Sequence, residues 1–267
     1  MSPPDDSDKS LLTNQSFNQA LTEGATDLGL ALTPAQLDLF SRHYAFLLGH
    51  RAHGVTAITN PLGAAIKHFL DSLTALLIRD LRPGERVADI GSGAGFPGLV
   101  LAVARPQASY LLIESNLRRA ALLRELIAAL KLRNASVIAE RAEALGRETG
   151  YRRLQPAIPP EGSATHHREA YDLVVARALA PMPVLLEYCL PLVKVGGDCL
   201  ALKGPAGQAE LRRSQRALDL LGGQVTATRA LSLPRGMGDR LLVLVSKVSP
   251  TPDRYPRRPG IPAKRPL

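Results

Sequence analysis

The sequence predicts an α/β fold: a mostly parallel sheet that ends in an antiparallel hairpin, preceded by a helical extension. From Arg86 onward, short Val/Ile/Leu-rich runs alternate with amphipathic stretches, the pattern of strands covered on both faces by crossover helices. The last two strand-like runs, near 224–232 and 240–247, are joined through Pro234-Arg235-Gly236-Met237-Gly238. That link is too short for a crossover helix, so the pair must be antiparallel. Ahead of residue 85, apolar residues recur at helical spacing.

Taken in order, residues 1–10 are polar and partly acidic and read as a disordered tail. Thr33-Pro34 supplies an N-cap followed by a proline at the first helical position, after which Leu37, Phe40, Tyr44, Leu47 and Leu48 share a helical spacing. A second helix opens at Asn60-Pro61, carries Ile66, Phe69, Leu70, Leu73, Leu76 and Leu77, and stops near Arg82-Pro83-Gly84. Residues 11–84 are therefore expected to form a helical cap. Strands are expected near 86–90, 109–114, 135–139, 171–176 and 197–203, with helices near 97–104, 116–131, 182–194 and 206–221. With the hairpin this makes one seven-stranded domain over residues 85–248. Residues 146–170, with Pro156, Pro159 and Pro160, read as a surface insertion, and residues 249–267 as a basic, proline-rich disordered tail.

The chain has 267 residues, 45% of them hydrophobic, enough for a sizeable core. No stretch reaches the roughly 18 apolar residues that span a bilayer, and the N-terminus has no apolar run, so a soluble, cytoplasmic protein is expected. Cys189 and Cys199 stand in apolar segments without His or Cys at metal spacing and read as reduced core residues; His166-His167 likewise lack partners at such a spacing, and no metal is expected. A net charge of +9 favours an anionic partner, of which nucleic acid is the commonest. Few aromatics and no Trp argue against a surface that stacks many unpaired bases.

Residues 86–98, Arg-Val-Ala-Asp-Ile-Gly-Ser-Gly-Ala-Gly-Phe-Pro-Gly, carry the strongest chemical signal: a strand, an acidic residue and four glycines ahead of a helix. Glycines allow both a tight turn and the close approach of a ligand to backbone N–H groups. Read as Gly93-x-Gly95-x-x-Gly98, the loop fits a dinucleotide fingerprint; read as Asp89-x-Gly91-x-Gly93-x-Gly95, it is the Rossmann-like loop of a class I S-adenosylmethionine (AdoMet) methyltransferase. A pyrophosphate is anionic and wants a helix N-terminus free of carboxylates, whereas AdoMet carries a sulfonium and an ammonium. Asp89 tilts the reading toward AdoMet, and a terminal antiparallel hairpin points the same way.

Glu114, at the end of the second strand, is placed to accept ribose hydroxyls in either frame. Glu140-Arg141-Ala142-Glu143 follows the third strand, beside an adenine pocket or simply as a helix start. Arg177 and Lys203 end two strands on the edge that faces the ligand crevice of an open α/β sheet, although a strand-end lysine can equally be solvated. His68 and Asp71 share a helix face, either as a substrate-facing pair or as an ordinary surface pair. A nucleotide-dependent oxidoreductase and a basic RNA-binding module with a vestigial cofactor fold remain the competing readings.

Together with Thr56-Ala57-Ile58-Thr59, His68-Phe69-Leu70-Asp71-Ser72, Asp89 to Gly98, Arg177-Ala178 and Ala201-Leu202-Lys203-Gly204, these pieces resemble the RsmG (GidB) methyltransferases over about residues 35–247. The resemblance implies methylation of guanine N7 in 16S ribosomal RNA, with that RNA, the small subunit or an assembly intermediate as partner. It implies AdoMet contacts at Gly91, Phe96, Ala142, Glu143 and Arg177, beside Asp89, Gly93 and Glu114. His68, Asp71, Arg177 and Lys203 then become substrate-positioning residues, with no general base. The family commonly reads Asn-Leu-Thr where this chain has Val55-Thr56-Ala57-Ile58-Thr59, and the insertion and tail lie outside its common pattern.

Overall fold

The computed structural model describes residues 6–51, 56–147 and 166–267. Seven strands form one sheet in the order β3-β2-β1-β4-β5-β7-β6. They are β1 (Arg86–Ile90), β2 (Ser109–Ile113), β3 (Ala135–Ile138), β4 (Tyr171–Arg177), β5 (Val193–Lys203), β6 (Gly223–Ser232) and β7 (Asp239–Lys247). The first five run parallel, and β7 is antiparallel to both β5 and β6. The class I methyltransferase architecture predicted from the loop and the hairpin is the one observed. Chain order reverses between β1 and β4, and such a switch point opens a crevice at the carboxyl ends of the two strands.

Three helices precede the sheet: α1 (Asp6–Asp27), α2 (Pro34–Gly49) and α3, residues 61–77. Thr33 caps α2 as its sequence predicts, in a capping box with Gln36, and Gln36 reaches on to the Ala104 carbonyl at 3.1 Å. α3 is irregular. It begins as an α-turn over Pro61–Ala64, widens to a π-helix over Ala65–Leu70, and ends as α then 3-10 turns. α1 has no counterpart among the helices expected from the sequence, and it begins within the stretch expected to be a disordered tail, of which residues 1–5 lie outside the described residues.

These helices share one apolar core with the sheet. Phe17 stacks on Tyr44 at 4.7 Å, Phe69 meets Phe17, Phe40 and Phe96 edge-on, and the same cluster runs through Val87, Val100 and Leu242. Further along come α4 (Gly98–Ala104), α5 (Leu117–Leu130), α6 (Ala142–Leu145), α7 (Met182–Cys189), α8 (Gly207–Arg212) and α9 (Gln215–Leu221). The single helix expected over 206–221 is split at Ser214, whose hydroxyl bonds back to the Glu210 carbonyl. The expected insertion falls mostly on residues 148–165, outside the described residues. Cys189 and Cys199 are buried and unpaired. Among the described residues no helix is long and apolar enough to cross a membrane.

The tail corrects the sequence reading. Residues 249–267 pack against the domain and include a short helix, α10 (Ile261–Lys264). Prolines suppress regular structure, but they do not prevent docking where the domain offers buried charged partners. Arg257 forms an ion pair with the fully buried Glu187 at 2.6 Å, and Arg168 donates to the carbonyls of Gly146 and Tyr255.

Phe69 lies where cap, glycine loop and sheet meet. Phe69→Ala is expected to cost about 3–5 kcal/mol in denaturant unfolding; a loss under about 1 kcal/mol would mean that the cap packs independently of the sheet.

Candidate active site

The loop leaving β1 occupies the switch point. Gly91 has φ +73, a left-handed conformation, and a Cβ there would stand 2.6 Å from Leu179 Cδ1. At Gly98 a Cβ would meet the Asp89 carboxylate at 2.7 Å, so only glycine lets α4 start against that side chain. Asp89 is 1% exposed; its Oδ2 accepts the Gly98 N–H at 2.9 Å, while its Oδ1 is buried without a partner. Burial pushes its pKa up to about 6, against the opposing pull of the Gly98 N–H, the Ser92 hydroxyl and the Arg177 charge. A cation brought to the free oxygen restores ionisation. Glu114 fastens the loop to β2 by accepting the N–H groups of Gly93 at 3.0 Å and Asn116 at 2.8 Å.

Beside the loop opens a cavity of about 390 Å³. Ile90, Gly91, Ile113 and the start of α6 form one side, and Leu179 to Pro181, Val184 and Tyr188 the other. The lining is largely apolar with a few polar edges, as a flat heterocycle requires. Of the residues singled out in the sequence, Gly91 and Glu140 to Glu143 line it directly, whereas Asp89, Gly93, Phe96, Glu114 and Arg177 do not. Glu143 is already engaged, accepting the Gly260 N–H at 3.0 Å.

A second cluster lies on the cap side of the same loop. Arg177 ends β4, and Nη1 donates to the Lys67 and His68 carbonyls at 3.0 and 3.2 Å and to Asp71 Oδ2 at 3.2 Å. Arg240 of β7 takes the other side of Asp71, at 2.8 and 3.1 Å. The π-helical stretch of α3 contributes both carbonyls. Phe96 packs between two imidazoles, His43 at 4.9 Å and His68 at 4.7 Å, with the Arg177 guanidinium 5.1 Å from its ring centre. His43 Nε2 lies 2.9 Å from the Ala94 carbonyl, to which it donates, and His68 Nε2 meets Thr56 Oγ1 at 2.8 Å. Burial holds both imidazoles at a pKa of about 4, so they are neutral at pH 7. Burial lowers Arg177 as well, with Asp71 and Asp89 pulling the other way.

The structure thus brings His68, Asp71, Phe96 and Arg177 together and keeps Lys203 apart. Lys203 Nζ binds Glu210 at 2.6 Å and the Ala180 carbonyl at 2.7 Å, and Glu210 also accepts the Met182 N–H. It holds the β4–α7 loop that walls the cavity. Sequence reasoning missed Arg240, which has no signal beyond its place at a strand start, and missed Leu179 and Tyr188, whose apolar character reads simply as core. His167 bonds the Tyr171 hydroxyl, and no group of three potential metal ligands stands together among the described residues.

Comparison with known proteins shows the family to which this chain belongs. Residues 36–237 match the family model described as rRNA small subunit methyltransferase G. The chain belongs to that family. A relative from Pelotomaculum thermopropionicum, named Ribosomal RNA small subunit methyltransferase G, is 41% identical over 93% of this chain and 98% of its own length. Another of that name from Roseiflexus castenholzii is 42% identical over 91% and 97%. Among solved structures, a ribosomal protein L11 methylase from Lactobacillus delbrueckii subsp. bulgaricus superposes with a TM-score of 0.48 at 14% identity, covering 68% of this chain and 79% of that one.

The cofactor is S-adenosyl-L-methionine, and the residues present suit it: an unpartnered buried carboxylate for a cation, left-handed glycines for close approach, and an apolar slot for a purine. Gly91→Val is expected to abolish AdoMet binding in calorimetry, since it meets both backbone strain and Leu179; retained affinity would remove the loop from the site. Because Asp89 attracts a cation only when ionised, AdoMet affinity should fall as pH drops below about 6, approaching tenfold per unit. Asp89→Asn should bind weakly with that pH dependence flattened, and a wild-type profile flat from pH 7 to 5 would contradict the role.

Proposed function

We propose that the protein transfers a methyl group from AdoMet to N7 of a specific guanine in 16S RNA of the small ribosomal subunit. Support for an RNA substrate comes from the family, from relatives named for small-subunit rRNA methylation, and from the net charge of +9, which attracts a phosphate backbone. The N7 position is favoured by what the acceptor cluster lacks. Both Asp71 oxygens are taken by Arg177 and Arg240, and His68 and His43 are too weakly basic at a pKa of about 4 to collect a proton at neutral pH. Guanine N7 presents a lone pair and no proton, so it needs no such base.

When bound, AdoMet supplies a sulfonium-activated methyl group. The chain's own contribution is alignment. Phe96 is held between two neutral imidazoles and stiffens the loop, and the Arg177 guanidinium is fixed by three acceptors at the junction of the cofactor loop and the cap. Asp71 serves this alignment by fixing the Arg177 guanidinium, which it shares with the Lys67 and His68 carbonyls.

16S RNA from cells lacking the protein should have lost one N7-methylguanine, regained with wild type and not with Asp89→Ala. In vitro, labelled methyl should pass from AdoMet to that RNA; an unmodified N7 with label at another atom would overturn the position. Arg177→Ala is expected to lower turnover at saturating AdoMet by about 100-fold or more, and near-normal turnover would exclude it from the site.

A further inference from the structure

The cavity has a third side, contributed from beyond residues 36–237, which the family model matches. Ala263 and Pro266, from the proline-rich C-terminal segment, line it, and Ala263 belongs to α10. The segment reaches this place along a series of anchors. Thr251 accepts from the buried Lys247 ammonium at 2.7 Å and donates its hydroxyl to the Leu221 carbonyl at 2.8 Å. Arg168, itself buried, donates to the Tyr255 carbonyl at 2.7 Å, and Tyr255 and Pro256 are buried. Arg257 closes on both oxygens of Glu187 through its side chain and on one through its backbone N–H. Gly260, at φ +83, then turns the chain and donates its N–H to Glu143.

Two of these anchors are informative in themselves. Glu187 has no exposed surface, and a carboxylate in that position is strongly unfavourable without its cation, so α7 is built for an occupied dock. Glu143 stands on the cavity wall, and its bond to Gly260 joins cavity and tail in one hydrogen bond.

We infer that the C-terminal segment is a wall of the AdoMet site, with Ala263 and Pro266 contacting the bound cofactor and the Arg257–Glu187 and Gly260–Glu143 links holding them in place. This rests on the assignment of the cavity to AdoMet. It gives the segment a binding role independent of which atom of the RNA is methylated.

Calorimetric titration of AdoMet into three proteins tests it: the full chain, a chain ending at Gly260, and full-length Ala263→Trp. The shortened chain keeps Tyr255, Arg257 and Gly260, so it should melt close to the full chain without cofactor yet bind AdoMet about tenfold more weakly or worse. Should the deletion also lower the melting temperature, the Ala263→Trp variant decides: it retains every anchor, and its indole should obstruct the cavity and weaken binding by a similar factor. Unchanged affinity in both variants would overturn the wall while leaving the cofactor assignment standing. Failure of the full chain itself to bind AdoMet would take down both.

Discussion

Asp71 is buried, belongs to the cap, and is held on both sides by guanidinium groups from the sheet. Arg177 comes from the end of β4 and Arg240 from the start of β7, so one carboxylate ties together the N-terminal helices, the switch point and the terminal hairpin. Neither arginine is free to adopt another partner at low cost, since a guanidinium removed from water needs an anion close by. Removal of Asp71 leaves two half-buried cations facing each other without the anion that joins them. The position of Arg177, and through it the cap side of the site, depends on this carboxylate.

The loop after β1 and the end of β4 hold two opposite charges near one another: Asp89, a buried acid with one unpartnered oxygen, and Arg177, a cation with its acceptors assembled. Ala178, at φ +52, marks a change of direction: Arg177 reaches the cap and Leu179 lines the cavity. A left-handed non-glycine residue is uncommon and persists where surrounding contacts over-determine it. Lys203 and Glu210 provide that support from the next strand and helix by gripping Ala180 and Met182.

How much of this could be read in the chain differs by region. The glycine loop, Asp89, Glu114, the parallel strands and the closing hairpin were legible because each depends on local pattern: period, turn chemistry, strand-end placement. His68, Asp71 and Arg177 were legible as separate residues, but their meeting depends on the cap folding onto the sheet, which no local spacing states. The partners of Lys203 were not legible, since Glu210 lies in a helix that reads as an ordinary polar face. The tail was misread for a related reason. Its prolines describe what the segment cannot do alone, whereas Glu187, Glu143 and Arg168, which hold it, lie from 70 to 117 residues away.

The widened turn in α3 has a consequence for chain length. A π-helical stretch carries surplus residues relative to an α-helix of the same rise, and such stretches occur frequently at functional sites. Over Ala65–Leu70 the surplus spaces the Lys67 and His68 carbonyls for Arg177, while Asp71 follows about three turns after the cap of the segment at Asn60. Loss of one residue here would restore regular helical pairing and remove the widened turn that presents the two carbonyls to Arg177. The locally better helix would be the worse scaffold, so this segment should tolerate substitutions of its exposed residues far more readily than any insertion or deletion.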